Sequence, residues 1–253
     1  MHANASLDEM VAWLDAHLDL ATYAATEPDA NGLLVRGGPG VSKFAVAVNA
    51  SMTTIVGAAK AGAQLLVVHH PSWAEIDLHL HEEKAAMLEA ASIALYAAHA
   101  SLDCAPKVGN AWILSGLLGI EVESAFCEYR GGQAGVVGRA TGSFGELIQR
   151  ASRELKVDIE AHEHSREFGR VAIVPGAGGM TSYLDEARQL GCDTYITGEG
   201  SMFTRLFARE CGMNLVFGTH YATEAPGIRA LGERLGEHSG MPWEFIDEST
   251  DVF

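Results

Sequence analysis

Positive charge is what this chain of 253 residues has least of. It carries 17 Lys+Arg against 33 Asp+Glu, a net charge of −16. Holding nucleic acid by neutralising phosphates needs a cationic face. No Lys/Arg cluster supplies one, so nucleic acid is not an expected partner. Anionic membrane surfaces are disfavoured on the same ground. Long apolar runs are also missing. The longest stretch without a charge, Phe44 to Ala59, includes Asn49, Ser51, Thr53 and Thr54 and is too short and too polar to span a bilayer. Targeting segments need early basic residues, and the first here is Arg36. The four cysteines (Cys104, Cys127, Cys192, Cys211) include no C-x-x-C pair. They read as buried thiols of a cytoplasmic protein. There is no G-x-S-x-G elbow. Cys104 lies near His99 and Asp103 but has no cysteine-hydrolase signature around it.

What is present fits a folded globular chain: 48% hydrophobic and 20% charged residues. The length accommodates one large α/β domain or two lobes. Apolar positions at Leu7, Met10, Val11, Leu14 and Leu18 have a helical period, and Ser6 with Glu9 forms a capping box at its start. The short apolar run Leu65–Val68 reads as a buried parallel strand that leads straight into His69 and His70. Strands are also expected at Phe44–Val48 and Ile93–Ala97, with a loop over His99–Cys104. In the second half a glycine-rich β segment, 126–141, precedes a regular alternation. Strands at Val171–Val174, Thr194–Ile196, Leu215–Phe217 and Trp243–Ile246 are separated by helices. The fold class is therefore α/β, with mostly parallel or mixed sheets flanked by helices. The expected lobes are residues 1–124 and 125–253.

Open α/β sheets bind ligands at the carboxyl ends of their strands. That rule selects His69-His70, His99 with Asp103, Gly176 to Gly179, Thr197-Gly198-Glu199 and Gly218-Thr219-His220. Adjacent imidazoles suit two neighbouring metals better than one, although such a pair is also met as one core ring and one surface ring. His220 and Glu224 lie four apart and share one helical face; imidazole plus carboxylate in that arrangement can grip a divalent ion. Asp103 adds a strand-end carboxylate. Two His, one Asp, one His and one Glu exceed the usual three ligands of a catalytic zinc and suit two metals sharing a bridge. His79, His81, His162 and His164 read as solvated, and His2, His17 and His238 have no partners in sequence. The Gly176–Gly179 loop is not G-x-G-x-x-G, since Thr181 stands at the last glycine position. A tight turn explains it as well as a phosphate cradle, and it leaves open a nucleotide-binding protein without metal.

The ordered set Leu65-Leu66-Val67-Val68-His69-His70-Pro71, His99-Ala100-Ser101-Leu102-Asp103, Thr197-Gly198-Glu199 and Gly218-Thr219-His220-Tyr221-Ala222-Thr223-Glu224 resembles the NGG-interacting-factor-three-like family. These proteins are also called dinuclear metal-centre hexameric proteins or GTP cyclohydrolase type 2 homologs. The resemblance spans roughly residues 30 to 247. It implies two α/β lobes with a dinuclear metal site in the cleft between them, and a homohexamer built as a trimer of dimers. His69, His70, Asp103, His220 and Glu224 match the ligands of two divalent ions (Zn, Mn, Fe, Co or Ni). His99 matches a position beside the cluster. His99 and Glu199 are the candidates for moving protons. The chain departs from the family pattern at Asn49, where an Asp is frequent, at Asp29-Ala30-Asn31-Gly32-Leu33, at Ala100-Ser101 and at Thr219. The implied function is a metal-dependent hydrolase acting on a small molecule, of GTP cyclohydrolase type 2-like or phosphoester/amide chemistry. The alternative is a non-enzymatic metal-binding regulatory or scaffold ring that engages a protein.

Overall fold

A computed structural model of the chain describes residues 5–249. The chain forms two compact units. One comprises the residues up to Ala105 together with those from Ile228 onward; the other is Pro106–Gly227.

The first unit is built on a five-stranded sheet. Its order is Trp243–Phe245, Phe44–Asn49, Leu65–His70, Ala94–Ala98, Asn31–Val35. The first four strands are parallel and Asn31–Val35 is antiparallel to its neighbour. The sequence explains the central position of Leu65–His70: Leu65 to Val68 are all fully buried, as a strand covered on both faces requires. Ala47, Ile55, Leu66, Val68, Leu88 and Leu95 pack into one cluster against the sheet. The helix Met52–Ala61 begins where the Ser51 side chain accepts from Thr54 N, and ends at Gly62 in the left-handed region (φ 73°). Ser6 and Glu9 form the expected capping box on helix Leu7–His17.

The second unit holds a six-stranded mixed sheet. Its order is Glu121–Tyr129, Gly132–Arg139, Arg170–Val174, Thr194–Thr197, Asn214–Phe217, Glu160–His162. The first three of the expected series (Arg170–Val174, Thr194–Thr197, Asn214–Phe217) are parallel, and the strands on either side of them are antiparallel. Alternation along each strand sorts the core into two layers. Val171, Ile173, Ile196 and Val216 face Leu114 and Leu147. Ala172, Tyr195, Leu215 and Phe217 face Phe126 and Leu184.

His69 and His70 are the last two residues of their strand, at its carboxyl end as expected. Three expectations are corrected. The chain divides after Ala105 rather than near residue 124, because helix Asn110–Leu117 packs through Ala111 and Leu114 into the core of the second unit, and the C-terminal segment returns to the first unit. That return is made by strand Trp243–Phe245, which pairs with Phe44–Asn49 rather than extending the second series. The segment after His99 is a short helix, Ala100–Asp103, rather than a loop. Cys104, Cys127 and Cys192 are buried and in no disulfide, but Cys211 is exposed on the last turn of Met202–Cys211. Among the described residues no helix is long and apolar enough to cross a membrane.

Candidate metal centre

In the first unit, the parallel register sets Asn49 beside His70, and strand Leu65–His70 beside Ala94–Ala98. His99 follows the latter strand directly, and Asp103 ends the helical turn after it. His69 is fully buried. Its Nδ1 meets the Ala98 carbonyl at 2.8 Å. A carbonyl only accepts, so Nδ1 carries the proton and Nε2 keeps its lone pair. That Nε2 lies 3.5 Å from Asp103 Oδ1. His99 repeats the arrangement, with Nδ1 2.8 Å from Glu27 Oε2. His70 does so through Asn49 Oδ1 at 2.7 Å. Each ring is thus held by Nδ1 on an oxygen, the usual support of a metal-ligating histidine. Ligand atoms of His69, His70 and His99 lie within 4.8 Å of one another, and the His69 and His70 ring centroids are 4.4 Å apart.

In the second unit the other two predicted ligands meet on one helix. His220–Ser239 begins at His220 itself, so His220 and Glu224 are one turn apart. His220 Nε2 is 3.2 Å from Glu224 Oε1, and its Nδ1 is 3.1 Å from Glu199 Oε1. Burial opposes a charge on His220, but the hydrogen bonds and charges of Glu224 and then Glu199 outweigh it and raise its pKa to about 9. The same pair of carboxylates makes the position attractive to any cation. Glu224 is buried.

The glycine loop belongs to this arrangement. Gly176 sits at φ +60°, and a Cβ built there would overlap Glu224 Oε1 and lie 2.9 Å from His220 Nε2. Its N–H donates to Thr223 Oγ1 at 3.0 Å, which in turn donates to the Thr219 carbonyl. At Gly179 a Cβ would overlap the Glu199 carbonyl. Close backbone approach therefore accounts for both glycines.

The donor set fits divalent cations. Imidazole nitrogens stand beside carboxylate oxygens, and Gly176 adds no side chain over the His220–Glu224 pair. Glu199, expected to handle protons, holds His220 Nδ1. His99, expected beside the cluster, presents its ring with those of His69 and His70. Sequence reasoning missed Glu27, which supports His99 from far along the chain and carries no local signal.

The other histidines lie apart. His81 Nδ1 contacts Ser72 Oγ, His162 Nε2 contacts Glu160, and His17 and His238 both stack on Trp13. His2 lies outside the described residues.

Residues 5–252 match the family described as Duf34/NIF3 (NGG1p interacting factor 3). A protein of Deinococcus radiodurans named GTP cyclohydrolase 1 type 2 homolog is 33% identical over 97% of this chain and 94% of its own length. One of Halobacterium salinarum with the same name is 36% identical, covering 88% of this chain and 90% of its own. Among solved structures, protein ybgI, of unknown function, superposes with a TM-score of 0.85 at 31% identity, over 96% of this chain and 98% of that one. Reduced HcgD from Methanocaldococcus jannaschii shares the fold, with a TM-score of 0.83 at 24% identity over 98% and 100% of the two chains. With its histidines and carboxylates at the strand ends and helix start described above, and with relatives matching it along nearly its whole length, the chain belongs to the Duf34/NIF3 family.

Proposed function

We propose that this protein holds two divalent metal ions through His69, His70, Asp103, His220 and Glu224, and acts as a metal-dependent hydrolase on a small molecule. The observation that carries the reading is the shared posture of His69, His70 and His99. Each has Nδ1 on an oxygen, and their ligand atoms lie within 4.8 Å of one another. Nothing in the packing of a core requires three imidazoles to be oriented alike, whereas ligation does.

The division of work follows from the contacts. His69, His70, Asp103, His220 and Glu224 bind. Ala98, Asn49 and Glu199 orient, and Glu27 holds His99 so that its ring can take or give a proton at Nε2. When bound, a pair of divalent ions lowers the pKa of water toward about 7 and polarises a carbonyl or phosphoryl oxygen. Metal identity is left open by a set of imidazoles and carboxylates.

The relatives' names make GTP the first substrate to assay. At −16 the chain offers no long-range attraction to a triphosphate, so simple phosphoesters belong beside it. The test is hydrolysis of both by metal-reloaded protein and by His70→Ala, Asp103→Ala and Glu224→Ala. The reading expects activity in the parent and its loss in all three. Activity unchanged in all three contradicts it. A parent that binds metal yet hydrolyses neither substrate favours the regulatory ring. Assembly as a hexamer rests on the family resemblance, and light scattering showing a monomer at micromolar concentration counts against it.

A further inference from the structure

Asn49 does not meet His70 alone. While its Oδ1 faces His70 Nδ1 at 2.7 Å, its Nδ2 donates to Glu248 Oε1. The other Glu248 oxygen accepts from Ser51 Oγ at 2.6 Å. Glu248 is only 2% exposed, although it sits in the polar stretch Asp247-Glu248-Ser249 just after the last strand. Burying a carboxylate is costly unless donors converge on it, and here they do. Ser51 is itself fixed, because its Oγ also accepts from Thr54 N as the cap of helix Met52–Ala61.

We infer that Glu248 is a positioning residue for His70, acting through Asn49; this rests on the proposed role of His70 as a metal ligand. A side-chain amide has two ends, and either could be offered to an imidazole. Glu248 decides which. Both its oxygens accept, one from Ser51 and one from Asn49, so the amide NH2 turns toward Glu248 and Oδ1 is left for His70. Because Oδ1 can only accept, the His70 proton stays on Nδ1 and the lone pair on Nε2. A buried anion thus sets the tautomer of a ligand one side chain away. His69 obtains the same result from the Ala98 carbonyl, and His99 from direct contact with Glu27. Only His70 receives it in two steps, from a residue 199 positions along the chain from Asn49. The arrangement also puts a carboxylate behind His70 where position 49 itself carries no charge.

The experiment uses the full chain, stripped of metal. Histidine 15N spectra read the His70 tautomer, and competition with a chelator reads the Zn2+ dissociation constant. In the parent, His70 shows a single Nδ1–H tautomer. Glu248→Leu removes both acceptors, so neither end of the Asn49 amide is selected. It is expected to mix the His70 tautomers and to weaken Zn2+ binding roughly 10–100-fold, the usual effect of removing such a support. The double variant Asn49→Asp, Glu248→Leu moves the anion into direct contact with His70 and is expected to restore both readings. An unchanged tautomer and affinity in E248L overturns the inference. So does a loss that the double variant fails to rescue, since that describes a residue needed only for folding. Should E248L fold poorly, Asn49→Ser removes the amide link and must show the same two changes. A parent that binds no Zn2+ defeats the metal reading separately, because the metal-free tautomer still decides whether Glu248 acts on His70.

Discussion

Gly176 faces the carboxylate of Glu224 so closely that no side chain fits between them: a Cβ at position 176 would overlap Glu224 Oε1. The backbone there is also left-handed, at φ +60°. Gly176→Ala is therefore expected to cost about 1–3 kcal/mol in stability and to displace Glu224 from His220. Urea unfolding and a Zn2+ titration check it together. Loss of stability with metal binding intact would mean that the glycine serves the turn alone.

Glu27 holds His99 Nδ1 and also accepts from Asn31 Nδ2 at 3.1 Å. Glu27→Ala is expected to release the ring and to lower kcat of any metal-dependent hydrolysis by roughly 10–100-fold, with KM nearly unchanged. An equal loss at all pH values with an intact pH profile would show that His99 moves no proton.

Glu160 supplies a pH prediction away from the metal ligands. Its hydrogen bonds to Arg205 and His162 outweigh partial burial and hold its carboxyl at about 2, well below the ordinary value of 4.5. A carboxyl whose pKa is depressed on folding stabilises the protein above its unfolded pKa and loses that contribution as pH falls through the folded one. Both side chains are more than one third exposed, so screening reduces the effect to about 1 kcal/mol. Glu160→Gln should be less stable than the parent near neutral pH. The difference should shrink between about pH 4.5 and pH 2. A difference that stays constant with pH would contradict the assignment.

The thiols give a simple check on burial. Cys211 is exposed while Cys104, Cys127 and Cys192 are buried and unpaired by disulfides. A thiol reagent should label one cysteine rapidly in the native protein and all four after denaturation. Rapid native labelling at more than one site would show that a core cysteine is reachable.

Much of the fold was legible where a local pattern carried it. The apolar run Leu65–Val68 and the capping box of Ser6 with Glu9 mark their elements without reference to anything distant. Edge strand Glu160–His162 was missed because Glu160-Ala161-His162 is too short to show a period. Trp243–Phe245 was read as a strand, but its partner was not, since nothing local to residue 243 names Phe44. The return of the C-terminal segment to the first unit rests on that one non-local pairing. The site divides the same way. His69, His70, Asp103, His220 and Glu224 stand out as residue types at strand ends and on one helical turn. Their supports do not: Glu27 is 72 positions from His99, and Glu248 is 199 from Asn49. Residues of those types are common on surfaces, and only the fold shows which ones are buried behind a histidine.

The central claim is the proposed pair of divalent ions held by His69, His70, Asp103, His220 and Glu224, and metal content tests it most directly. Protein purified without chelator and reloaded with Zn2+ should hold two ions per chain by elemental analysis. His70→Ala, in the first unit, and Glu224→Ala, in the second, should each hold fewer while remaining folded. A parent that retains far less than two ions per chain, or variants that retain the parent's full complement, would contradict the account.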